Sequence, residues 1–318
     1  MALRFIALMV LACLTLPASG LAQQASEYAV PRTEHGHPDF QGVWATEFLT
    51  LLERPPGIGM LVAPLEQAEV VAAMMRKGLP AVIDPDVQLH DIKRLAMVKG
   101  EYRTSIIVDP EDGRMPFTKA GLDLAGVMAK RDQLSDHPEE RPLVDRCLEA
   151  LGYAPMRTVP VFLPRMIIQT RDHVVIFSED AVGLRLIHLR GEPPPDQIRT
   201  IQGYTTGRWE QNTLVARTTR LRADYPARNV IGRALLISPR TTITERFTRV
   251  SPTELFYQFT VEDDHLYTRP WKGEFSMTRS DAKVYEYGCH EGNYSLPNSL
   301  SGGQAEASRR AEPTPSPR

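Results

Sequence analysis

The sequence predicts a mainly β protein, a closed antiparallel β-barrel with an α-containing N-terminal region. From Arg165 onward the apolar pattern changes from a helical period to a period of two, across many short runs separated by turn-forming breaks. No helical stretch intervenes between those runs, and an open sheet of that size would leave adhesive edges that closure removes. No fixed-length repeat is visible, which argues against a propeller.

Residues 1–22 read as a secretory signal peptide. Arg4 precedes the apolar run Phe5 to Leu16, and Gly20-Leu21-Ala22 supplies small residues for a cut after Ala22. That run is shorter than the about 20 residues a spanning helix needs, and no later run is apolar enough to cross a membrane. Cys13, behind Val10-Leu11-Ala12, would suit lipidation only with an unusually short signal. The mature chain is expected to be periplasmic or secreted. Removing the signal leaves about 300 residues, enough for one large β domain or two small ones.

Residues 23–39 are polar and Pro-rich and read as an irregular arm. Residues 40–299 are expected to form one barrel domain that includes a helical segment over 64–131. A first strand is expected near Phe40 to Glu47. A helix begins at Pro64, carries Ala68, Val70, Val71 and Met74 at helical spacing, and stops at Gly78 and Pro80. Ser105 to Val108 reads as a strand entering the turn Asp109 to Gly113. After Pro116 a second helix runs to about Arg131 with Leu122, Leu124, Val127 and Met128 on its buried side. Strands are then expected at 165–171, 173–179, 184–189, 198–209, 212–220, 233–249, 254–261, 271–279 and 283–289. The tail 300–318 has almost no large apolar residue and is expected to be disordered.

The net charge of −2, spread over many charges of both signs, argues against a nucleic-acid footprint. No nucleophile elbow, Gly-rich phosphate loop or CxxC pair is present, and His35, His37 and Asp39 lack further ligands at telling spacing. Neither cofactor nor metal is therefore expected. Cys147 and Cys289 remain in the mature chain, where a disulfide is the default in an oxidising compartment and two buried thiols the alternative.

The segments GHPDFQGVWAT (36–46), LLERPPG (51–57), SIIVDPEDGRMPFTKAG (105–121), DRCL (145–148), GRWEQNTLV (207–215), ERFTRV (245–250), YTRPWKG (267–273) and YEYGCHEGNY (285–294) form a set. Together they resemble a large group of secreted bacterial proteins of unknown function with GRWEGDTLV at their centre. The resemblance implies a shared fold over most of residues 36–296. Gly42-Val43-Trp44 on the first strand also resembles the G-x-W that closes one end of lipocalin-type barrels. Where the group has an acidic residue after its central motif, this chain has Arg217.

Strand alternation nominates polar residues that share a face with apolar ones. Glu245 falls on the face of Ile243 and Phe247, either as an ion pair with Arg246 or another arginine, or as a general base or acid. His188 lies with Leu184 and Leu186, and Glu179 with Phe177 and Val175. If those faces point into the barrel, an imidazole and a carboxylate meet in one cavity; the alternative is a satisfied core histidine. Tyr204, Gln169, Arg217 and Thr218 are candidate ligand contacts, and Trp271, Tyr257 and Tyr287 candidate pocket walls, although any β core uses aromatic residues. His290, beside Cys289, sits in a polar corner past the last strand, either a site held rigid by a disulfide or a solvated turn. The expectation is a protein acting on, or carrying, a small apolar organic molecule: a cofactor-independent lyase or isomerase, or a lipocalin-like binding protein.

Overall fold

The computed structural model describes residues 28–77, 92–148, 151–179, 184–222, 224–228 and 230–311. The expected signal peptide, the start of the arm, the first helix stop at Gly78 and Pro80, and residues 312–318 lie outside them. In chain order the elements are β1 (Gly42–Thr46), β2 (Val62–Ala63), α1 (Leu65–Lys77), β3 (Ala96–Val98), β4 (Glu101–Arg103), β5 (Ile107–Asp109) and α2 (Lys119–Arg131). The β-rich part follows as β6 (Leu163–Gln169), β7 (His173–Ser178), β8 (Arg185–His188), β9 (Tyr204–Glu210), β10 (Thr213–Thr219), β11 (Ala227–Arg228), β12 (Leu235–Leu236), β13 (Thr242–Arg249), β14 (Glu254–Glu262) and β15 (Trp271–Ser280). Two C-terminal helices close the chain, α3 (Cys289–Gly292) and α4 (Ser295–Ala311).

Nine strands close into a barrel in the order β1, β6, β7, β8, β9, β10, β13, β14, β15, with β15 returning to pair with β1 and β5 adding to β15. The mainly β, lipocalin-like barrel expected from the sequence is what forms. Its pairing is mixed in one place: every barrel neighbour is antiparallel except β8 and β9, which run parallel through Ile187 and Thr205. A parallel neighbour cannot be reached by a tight hairpin. Residues 189–203, with three consecutive prolines at 193–195 that cannot extend a ladder, carry the chain back to the start of β9. That crossover replaces the first part of the strand expected over 198–209.

Alternation fixes the lumen. Leu214, Ala216 and Thr218 of β10 face the same interior as Ile243, Glu245 and Phe247 of β13, and Tyr257, Phe259 and Val261 of β14 oppose them. Trp44 of the G-x-W motif is fully buried; its indole donates to the Phe40 carbonyl at 2.7 Å, and the guanidinium groups of Arg249 and Arg279 lie 5.5 and 5.3 Å from its ring. Gly42 is required here, because its φ is +110° and a Cβ would strike the Arg279 guanidinium.

Outside the barrel, α1 packs on the small sheet β2–β4–β3 through Ala68, Val71, Ala72 and Met75. Val70 and Met74, expected among its apolar positions, are on the open face. On α2 the buried residues are Gly121 and Met128, with Leu124 packed beside the core, while Leu122 and Val127, expected inside, are exposed. No strand forms over 283–289, because β1 already occupies the edge of β15 that another strand would need. Residues expected to be a disordered tail extend α4, whose Gly303 packs against the Ser135 backbone so closely that a Cβ would not fit.

Cys147 and Cys289 form a disulfide across 142 residues, with Cα atoms 5.9 Å apart, and tie α3 to the segment between α2 and β6. Asn293 adds a hydrogen bond to the Asp145 carbonyl at 2.7 Å. Replacing both cysteines by serine is expected to cost about 2–5 kcal/mol, read as a lower urea midpoint; an unchanged midpoint contradicts a stapling role.

Candidate functional site

Glu245 comes first because it is the carboxylate that the pattern nominates. It is fully buried, and both of its oxygens receive the guanidinium of Arg185, one at 3.0 Å and the other closer. Tyr257 donates its hydroxyl to the same carboxylate at 2.7 Å and accepts from the Met156 amide at 2.7 Å. Burial works against the Arg185 charge, and the Glu245 carboxylate outweighs it, so the guanidinium is held above its ordinary pKa. Burial, then the Glu245 charge, pushes the Tyr257 hydroxyl well above its ordinary value. This is the ion-pair alternative for Glu245, with Arg185 as partner, whereas Arg246 pairs with Glu210 at the surface.

The segment 151–157 folds against this network from inside. Gly152 sits so close to Ser178 that a Cβ would collide with its hydroxyl, and Arg165 donates to the Arg157 carbonyl at 2.8 Å. Tyr153, Ala154, Met156 and Arg157 are all buried. Ala154 and Met156, with Trp44, Phe247, Phe259, Trp271 and Phe275, leave the lumen occupied by the chain's own side chains, whereas Tyr153 packs separately against Ile201.

His188 shares a face with Leu184 and Leu186, as alternation predicts, but that face is the outer wall. The reason is register: Arg185 and Ile187 are the buried alternates of β8. Glu179 follows Ser178, the buried end of β7, and does not line the cleft at His188. The expected meeting of His188 and Glu179 inside the barrel does not occur.

Instead His188 stacks on Tyr204 with ring centres 4.5 Å apart and 9° between planes, and meets His173 edge-on at 5.0 Å. The His188 and Tyr204 rings border a cleft of about 520 Å³ on the outer wall. Apolar walls come from Leu148, Tyr153, Leu184, Leu186 and Ile201, and Arg199 and Arg222 add two cations. The crossover 189–203 builds one side, the disulfide residue Cys147 another. Burial, then the charge of His173, lowers the His188 pKa below 6.5. The imidazole is therefore neutral at pH 7.

The other nominated residues are dispersed. Thr218 is in the lumen, bonded to Thr205 at 2.7 Å, and Trp271 is in the core between Phe259 and Tyr267. Gln169 fastens the arm, accepting from the Phe40 amide and donating to the Pro38 carbonyl. Arg217 is exposed at a second cleft of about 410 Å³, beside Arg240, Glu262 and Arg269. His290 is exposed on α3, and Tyr287 is half-buried before it. Of the nominated acid–base groups Glu245, His188, Glu179 and His290, only His188 lines the cleft.

Arg185 was legible, since alternation puts it with Ile187, and a charge on that face calls for a partner. Arg199 and Arg222 were not, because loop residues carry no face. The chain matches no family model, no curated protein and no solved structure.

Two outcomes follow from this geometry. Glu245→Gln should lose about 3–5 kcal/mol in urea unfolding by stranding a buried guanidinium, and adding Arg185→Met should restore most of it; simple additivity contradicts the pairing. His173→Gln should raise the His188 pKa in an NMR titration. Because the folded pKa of His188 is depressed, its protonation opposes folding as pH falls from 6.5 through that value, and His188→Gln should flatten that part of the stability profile.

Proposed function

We propose that this protein binds a small, largely apolar organic molecule, without catalysis, in the outer-wall cleft between the crossover and strands β8 and β9. The observation that carries this reading is the cleft itself. It combines an apolar wall, a stacked His188–Tyr204 platform and a few polar groups in one concave surface of about 520 Å³, the composition and size usual for ligand pockets. The disulfide beside it supports a place outside the cytoplasm, since such bonds persist in oxidising compartments.

A lyase or isomerase acting through Glu245 has less support. A general base must reach substrate, and this carboxylate is sealed in the lumen with its oxygens already engaged by Arg185 and Tyr257.

Native mass spectrometry of the mature protein with a mixed panel of aromatic, terpenoid and lipid compounds tests the proposal. A retained, unaltered ligand is expected, and Leu186→Arg, which puts a charge on an exposed wall position, should abolish retention while leaving the fold intact. Retention unaffected by that change, or a compound returned chemically altered, contradicts the reading.

A further inference from the structure

We infer that the molecule taken by this cleft is an amphiphilic carboxylate, its acid group at Arg199 and Arg222 and its apolar body along Leu148, Leu184 and Leu186. The inference rests on the binding reading above and adds the ligand's charge and polarity.

Charge complementarity carries it. Among the described residues, the lining of the larger cleft includes Arg199 and Arg222 and no aspartate or glutamate. Arg199 is exposed, donates to the Pro239 carbonyl at 2.9 Å, and forms no ion pair with a described carboxylate. Arg222 engages Asp224 through Nε at 2.7 Å and Nη2 at 2.6 Å, with both side chains more than half exposed. Solvent screens that pair, Arg199 supplies the cation that no described carboxylate neutralises, and Arg222 adds the remaining edge of its guanidinium. His188, neutral at pH 7, adds no competing charge to the stacking platform.

Polarity is set by position. Arg199 precedes Thr200 on the crossover and Arg222, which follows β10, donates its amide to the Thr200 carbonyl at 2.8 Å, whereas the leucines come from β8, the residue preceding it and the segment beside Cys147. A neighbouring cleft of about 280 Å³ shares Leu148, Ile201 and Arg222 and continues past Arg146 and Arg131, where Glu139 and Asp224 balance part of the charge. The two clefts meet at Leu148, Ile201 and Arg222, and Arg199 lines only the larger one. A guanidinium engages a carboxylate through two parallel hydrogen bonds, and an apolar body beside it is desolvated by the leucine wall.

The test uses two probes of equal chain length, dodecanoate and dodecanol, titrated by calorimetry into wild type, Arg199→Met/Arg222→Met and Leu186→Arg. Methionine keeps an apolar stem where the arginine stems pack. Dodecanoate is expected to bind wild type at least about tenfold more tightly than dodecanol, in line with a charge-assisted contact. The double arginine variant should lose that preference while keeping the dodecanol affinity, and Leu186→Arg should lose both probes.

Equal affinity of the two probes for wild type, or a preference that survives the arginine changes, overturns the carboxylate assignment. If the probes bind equally and Leu186→Arg still abolishes both, the binding reading stands without it. If wild type takes up neither probe, both fall.

Discussion

Burying a carboxylate in a barrel lumen requires a partner that neutralises it and donors that satisfy its oxygens. Here that requirement is met by Arg185 from β8, Tyr257 from β14 and, through Tyr257, the amide of Met156. Three separate parts of the chain are joined at one point, and the segment 151–157 is held inside as a consequence. The Glu245, Arg185 and Tyr257 side chains are thereby engaged with one another. The proposed recognition therefore falls on the outside of the wall, unlike that of a barrel that encloses its ligand.

The outer cleft has a topological origin. Eight of the nine closures around the barrel are antiparallel, and the exception between β8 and β9 forces the chain across the outer face before β9 can begin. That crossing raises a ridge, Arg199 to Gly203, opposite the exposed leucines of β8. The disulfide and Leu148 close the far side. The cleft thus arises where the meander pattern fails, and its cationic and apolar halves come from different kinds of structure: a loop and a strand.

Much of the barrel was readable from residues alone, because a period of two is imposed by the strand itself. The runs at 165–171, 173–179, 212–220, 254–261 and 271–279 all became barrel strands within a few residues. The disulfide was readable from the cysteine count and the expected compartment. Alternation also grouped His188 with Leu184 and Leu186 correctly, but it cannot say which of two faces is the lumen. Arg185 decides that, through a partner 60 residues away. The parallel pair and the loop arginines left no periodic trace. The helix α4 also escaped, since its packing uses small residues such as Gly303 instead of an apolar stripe.

The proposed ligand lies outside a filled barrel. Dodecanoate carrying a nitroxide at its terminal methyl end locates it directly, through paramagnetic broadening of amide signals in the folded protein. Broadening centred on Leu186, His188 and Tyr204, with Ala216, Glu245 and Phe259 retained, is the predicted result. Loss of the Ala216, Glu245 and Phe259 signals, with Leu186 and Tyr204 unaffected, would place the ligand in the lumen and contradict it.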